Sequence, residues 1–147
     1  MKNPRIAAAT TQEEIRRCYP VLHELRSHLV DEKEFMERVA RQQKQGYQLA
    51  FLESEGAVRA VAGYRFLESL FSGKNLYVDD LVTGDADRSC GYGGQLLDWL
   101  VDLARTSNCE TLELDSGVQR FDAHRFYFSK RMSISSYHFR IKLEPKP

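Results

Sequence analysis

The chain has 147 residues, 42% hydrophobic and 29% charged, which is the composition of one soluble globular domain with a sizeable core. Its 21 basic and 21 acidic side chains cancel, so no net field steers it towards nucleic acid or an anionic membrane. No apolar run approaches membrane-spanning length, the N-terminus lacks a signal-peptide pattern, and no motif suggests a metal site. Three widely spaced cysteines, Cys18, Cys90 and Cys109, form neither a disulfide framework nor a Cys-x-x-Cys zinc motif, and fit a reducing cytoplasm.

In chain order, Thr11-x-x-Glu14 reads as a capping box. Ile15, Cys18, Tyr19, Leu22, Leu25 and Leu29 then recur at helical spacing, and Pro20 is expected to kink or divide that helix. Asp31 can cap a second helix carrying Phe35, Met36, Val39 and Ala40 and ended by Gly46. Two strands, residues 47–53 and 57–67, are expected to form a hairpin through Ser54-Glu55-Gly56. Another strand follows over 76–83, then a glycine-rich loop and a helix from about Gly91 to Thr106. A short strand over 111–115, a helix over about 121–131, and a closing strand on alternating Tyr137, Phe139, Ile141 and Leu143 complete the chain. The expectation is a single domain, residues 1–147, with a mixed α/β sheet, mostly antiparallel. It has a parallel central strand pair, because a helix joins the strands on either side of the glycine loop.

The loop Asp87-Arg88-Ser89-Cys90-Gly91-Tyr92-Gly93-Gly94 carries the most chemistry. Entering a helix, it exposes amides that have no intrahelical partner, at the positive end of the helix dipole. Glycines let an anion approach the backbone, and Arg88 adds a positive charge, so a phosphate or pyrophosphate fits here. Taken alone, the pattern also suits an ordinary tight turn; the order strand, loop, helix favours the cradle. The chain lacks Gly-x-x-x-x-Gly-Lys-Ser/Thr, and Leu96 stands where the third glycine of a dinucleotide fingerprint would fall. Cys90, within the loop, reads as a small residue in a tight place.

With Arg88-x-x-Gly91-x-Gly93 after a strand, and Ala123-His124-Arg125-Phe126-Tyr127 about thirty residues on, the stretch from Leu76 to about Met132 resembles the GNAT superfamily of acyl-CoA-dependent N-acetyltransferases. The resemblance implies that fold, with a splay between central strands, and acetyl-CoA as cosubstrate. It implies transfer of an acetyl group to a primary amine of a small molecule or protein, by direct attack in a ternary complex. By the same resemblance, the amides of Gly91, Gly93 and Gly94, with Arg88, Ser89, Cys90 and Tyr92 around them, hold the pyrophosphate. Leu81, Val82 and Thr83 pair with the pantetheine arm, beside a strand irregularity that frees an amide to polarise the thioester carbonyl. Ala123 and Phe126 complete the cofactor side. Arg120 replaces the family's usual asparagine on the arm, and Arg131-Met132 replaces a Gly-Phe pair.

Tyr127, at the family's tyrosine position, becomes the acid that protonates the leaving thiolate. The spacing of Ala123, Phe126 and Tyr127 also packs a helix onto a core, whereas His124 falls on another face as a surface or structural histidine. Asp79 and Asp80 are the candidate bases; strict alternation would turn only one into the cleft. Tyr64, Glu113 and Asp115 are further candidates, and loss of the proton to solvent is an alternative. The first two helices and residues 68–74 would line the acceptor side. Acidic residues there, Glu13, Glu14, Glu24, Asp31, Glu32, Glu34 and Glu37, read first as a solvated face with basic partners. A non-catalytic acyl-CoA-binding module is the alternative function, and dimers are common in the family.

Overall fold

The computed structural model describes residues 3–146. Two compact units divide the chain, one ending at Leu114 and the other beginning at Asp115. The first holds strands β1 (Arg5–Ala8), β2 (Gln48–Ser54), β3 (Ala57–Ser69), β4 (Gly73–Thr83) and β5 (Thr111–Leu114). Its helices are α1 (Gln12–Leu25), α2 (Glu32–Gln43) and α3 (Tyr92–Thr106). The second unit holds α4 (Phe121–Ser129) and a C-terminal arm without regular secondary structure. Sheet order is β1-β2-β3-β4-β5, with every pairing antiparallel except β4–β5, which is parallel as the helix crossover requires.

The caps form as their side chains dictate. Thr11 accepts from the Glu14 amide, Glu14 reaches back to the Thr11 amide, and Asp31 accepts from the Glu34 amide at 2.7 Å. Amides of Thr10 and Thr11 hold the Glu14 carboxyl below its ordinary value. That contribution is present above the unfolded glutamate pKa and is lost as pH falls through the lower folded value. Thr11→Ala is expected to cost about 1 kcal/mol, read as a lower urea midpoint at pH 7. The difference from wild type should shrink in acid.

Pro20 does not divide α1, which runs unbroken from Gln12 to Leu25 with Pro20 on its exposed side. Ile15 and Cys18 before the proline and Val21 and Leu22 after it are all buried, so packing holds both halves in one helix. Between β2 and β3, Glu55 and Gly56 both take positive φ, as a two-residue hairpin turn requires.

Side-chain alternation along the middle strands builds two cores. Leu49, Phe51 and Val61 face α1 and α2, joining Ile15, Cys18, Leu22, Phe35 and Val39. Ala50, Leu52, Ala60, Ala62 and Tyr64 lie on the other face with Leu96, Leu100 and Ala104 of α3. Burial pushes the Cys18 thiol up to about 12, which makes it a packing residue.

One strand goes unpredicted, and one predicted strand does not form. Strand β1 lacks a sequence prediction because four residues are too few to show a period. The closing strand is absent from the described residues: 132–146 carry no strand, and Tyr137, Phe139, Ile141 and Leu143 are all exposed. Alternation is there, but a strand also needs a hydrogen-bonding neighbour, and among the described residues no strand pairs with these. β5 therefore stands at the edge of the described sheet.

Candidate active site

The glycine loop leads directly into α3. After a single 3₁₀ turn at Asp85–Asp87, the chain rises through Ser89 and Gly91, both at positive φ, and enters α3 at Tyr92. Gly91 caps the helix and, being glycine, gives the first amides no side-chain cap. A Cβ built at Gly91 meets nothing within 4 Å, which leaves this entrance open. Arg88 is mostly exposed and turns its guanidinium onto Asp85 at 2.7 Å. Cys90 is exposed, as a loop residue would be.

Pairing along β4 changes midway. On one side β5 pairs only with Asn75–Val78, and among the described residues no strand lies there beside 79–83, which include the expected arm-binding Leu81, Val82 and Thr83. On the other side the register to β3 slips: Val78 opposes Tyr64, and Asp80 opposes Gly63, so Asp79 is an extra, bulged residue. The irregularity expected near 81–83 thus lies two residues earlier. Its effect on direction is decisive. Leu76 and Val78 face the α3 core, whereas beyond the bulge Leu81 faces that core and Val82 the α1/α2 core. Asp79 and Asp80 therefore both point to the α1/α2 face, correcting the expectation that alternation admits only one.

There they line a pocket of about 360 Å³, with Leu22, Phe35 and Val39 on its apolar side and His28, Arg38 and Gln42 among its polar groups. Asp80 accepts from Arg26 Nε at 2.8 Å and from the Tyr47 hydroxyl at 2.7 Å, one partner on each carboxylate oxygen. Asp79 is held at both oxygens by Arg65, at 3.1 and 2.7 Å. Arg65 also donates to Gln42 and lies over the Tyr47 ring. Burial pushes the Asp79 carboxyl up, and Arg65 pulls it part of the way back. Tyr47, itself buried and beside Asp80, keeps its proton far into alkali.

Sequence reasoning missed Arg26, Tyr47, Arg65 and Gly63. Gly63 is there for room: a Cβ on it would lie 1.9 Å from the Tyr47 hydroxyl and 2.6 Å from Asp80 Oδ2. An isolated glycine inside an apolar strand run was the available signal, because such glycines mark bulges and close approaches.

The remaining candidates sit elsewhere. Tyr64 points into the α3 core, edge-on to Phe66 and Trp99, away from the aspartates. Glu113 accepts from its neighbour Thr111, and Asp115 lies 3.6 Å from His138. Residues 68–74 form the tip of the β3–β4 hairpin and contribute nothing to the pocket wall. The early acidic residues are engaged as expected: Glu13 and Glu32 with Arg16, Glu34 with Arg38, and Glu24 with the Asp85 amide.

Within the second unit, Ala123, Phe126 and Tyr127 share a half-buried face of α4, and Phe126 and Tyr127 meet edge to face. Burial pushes the Tyr127 hydroxyl up, and Arg120, its hydrogen-bond partner, pulls it back. Arg120 thus stands against the phenol, where the sequence pattern expected an asparagine on the arm. The Gly117 carbonyl lies 2.8 Å from His124 Nε2 and accepts from it, a structural contact.

A sheet with one parallel pair, a bulged strand ending unpaired on one side, and a glycine-turned helix beyond it together define an N-acyltransferase architecture. The sequence pattern of the Acetyltransferase (GNAT) family matches residues 9–132, and the chain belongs to that family. It is an acetyltransferase. The "Uncharacterized N-acetyltransferase YhdJ" of Bacillus subtilis (strain 168) is 42% identical over 133 residues, 89% of this chain and 93% of that protein. The aminoalkylphosphonate N-acetyltransferase of Salmonella typhimurium is 38% identical over 64 residues, 44% of this chain and 40% of that one. The crystal structure of ribosomal-protein-alanine N-acetyltransferase from Brucella melitensis biovar Abortus 2308 shares the fold, with TM-score 0.82 and 16% identity. That alignment covers 96% of this chain and 100% of the other. Among the described residues no group of side chains could hold a metal ion, and no helix is long and apolar enough to cross a membrane.

Proposed function

We propose that the protein transfers an acetyl group from acetyl-CoA to a primary amine of a small molecule or protein, with both substrates bound at once, in a reducing cytoplasm. The bulge at Asp79 carries this reading. It turns both aspartates into the pocket between α1, α2 and β4, where an amine docks, on the same strand whose other edge is left without a partner. Acetyl-CoA brings the activated acyl thioester. The first amides of α3 and Arg88 hold its diphosphate, and the free edge of residues 80–83 takes the pantetheine arm.

Asp80 receives the amine and accepts the proton it loses on attack. Its two oxygens each hold one partner, and a carboxylate has capacity for further donors. Both oxygens of Asp79 are taken by Arg65, so Asp79 sets the field beside it. Tyr127, carried over from the family's tyrosine position, supplies a proton to the departing thiolate.

The test has two parts. Acetyl-CoA should raise the melting temperature, because a ligand that binds only the folded state stabilises it. A panel of alkylamines, amino acids, aminoalkylphosphonates and peptides with free N-termini should then release free thiol with at least one member. A thermal shift without thiol from any amine would make the protein a CoA-binding module. No shift at all would remove the cradle. Gly91→Glu should raise the acetyl-CoA concentration for half-maximal shift about tenfold, through strain at positive φ and repulsion of the diphosphate.

A further inference from the structure

The pocket beside Asp79 and Asp80 carries opposite chemistries on its two sides. β4 supplies the two carboxylates, whereas α2 supplies Phe35, Arg38, Val39 and Gln42, spaced along one helical face. Phe35 and Val39 are buried in the core, so Arg38 and Gln42 form the polar border of that face. His28, from the segment joining α1 and α2, lines the same pocket.

The acidic and basic groups are not equally committed. Asp79 is matched by Arg65, and Asp80 by Arg26 and Tyr47, so the acidic side is already close to neutral. Arg38 reaches Glu34 at 3.1 Å, one turn back on the same helix, and both side chains are partly exposed. Pairs of that kind hold their partners weakly, and the contact leaves most of the guanidinium's N–H donors for another acceptor. Gln42 accepts from Arg65 at its amide oxygen, which turns the donor nitrogen of the same amide elsewhere. A guanidinium, an amide nitrogen and an imidazole ring together suit an oxyanion. Leu22 and Leu29 join Phe35 and Val39 as apolar wall, which suits a short methylene chain. At about 360 Å³ the pocket takes a small molecule.

We propose that the acetyl acceptor is a small zwitterion, a primary amine whose short carbon chain ends in a carboxylate or phosphonate, with its nitrogen at Asp80 and its anion on Arg38, Gln42 and His28. This rests on the pocket being the acceptor site of the transfer. The anion takes no part in the chemistry. The N–C bond forms as the thioester C–S bond breaks, the amine proton passes to Asp80, and the thiolate takes its own proton. A plain alkylamine would satisfy only one side of the pocket, and a peptide N-terminus would bring a neutral amide to Arg38.

Four probes test this on the full chain, with and without CoA: γ-aminobutyrate, aminopropylphosphonate, butylamine and a tripeptide amide with a free N-terminus. The two zwitterions should raise the melting temperature at concentrations about 10–100-fold lower than the other two, the worth of a charge-assisted hydrogen bond. Thiol release from acetyl-CoA should rank the probes in the same order, and the two zwitterions tell which anion is preferred. Arg38→Gln should keep the wild-type circular dichroism spectrum and bring that preference within about threefold, with Arg38→Lys in between. Zwitterions that shift the wild type but not Arg38→Gln, with no thiol released, would keep the ligand class and remove the transfer. Butylamine or the peptide binding as well as the zwitterions overturns the proposal. So does a preference unchanged in Arg38→Gln, or no shift from either zwitterion.

Discussion

Gly63→Ala is expected to lower the melting temperature by roughly 6–12 °C and to take acetyl transfer below detection. The added methyl would stand 1.9 Å from the Tyr47 hydroxyl and 2.5 Å from its ring, with Asp80 Oδ2 at 2.6 Å. None of these atoms has an easy retreat. Tyr47 is buried under Arg65, and Asp80 is anchored by Arg26. Overpacking a tight interior costs about 1–3 kcal/mol, and breaking a buried hydrogen bond to a charged group costs about as much again. A sum of about 3 kcal/mol corresponds to the melting shift given for a chain of this size. Because Asp80 loses its Tyr47 partner and its direction, activity should fall further than stability alone explains. A double-mutant cycle checks the cause: in a Tyr47→Leu background, Gly63→Ala should cost markedly less than in wild type. Equal costs in both backgrounds would show that the methyl is accommodated elsewhere.

This site also marks where the sequence stops being readable. Capping boxes, helical faces and the glycine loop are local: Thr11 and Glu14, or Gly91 and the start of α3, lie within a turn of each other. Local physics decides them, and the sequence pattern places them correctly. The bulge is not local. It arises where β3 and β4 meet at Gly63 and Asp80, and its consequence is held by Arg26 and Tyr47, 54 and 33 positions from Asp80. Period-two reasoning assumes unbroken pairing, so it assigned Asp79 and Asp80 to opposite faces; one unpaired residue reversed that for the rest of the strand. At 137–143 the same reasoning read the pattern correctly and still predicted a strand that is absent. Alternation describes which side chains share a face, and pairing depends on a neighbour that the pattern does not contain.

Tyr127→Phe is expected to lower turnover about 100-fold while leaving the acetyl-CoA-dependent thermal shift within about twofold. The reason lies in what the hydroxyl is for. If the ring only packed α4, phenylalanine would replace it at little cost, since the face it shares with Ala123 and Phe126 is half-buried and no residue of that helix is fully buried. A proton donor is different, because phenylalanine keeps the packing and deletes the proton. The pH profile separates the two. Burial keeps the Tyr127 hydroxyl protonated beyond the ordinary tyrosine value, so wild-type turnover should hold through neutral pH and fall only above about pH 10. Tyr127→Phe should lose that alkaline limb together with most of its rate. Arg120 gives the sign of a further shift: its charge pulls the hydroxyl down, so Arg120→Gln should move the limb to higher pH. A limb that stays in place in Arg120→Gln, or survives in Tyr127→Phe, assigns the proton to another group.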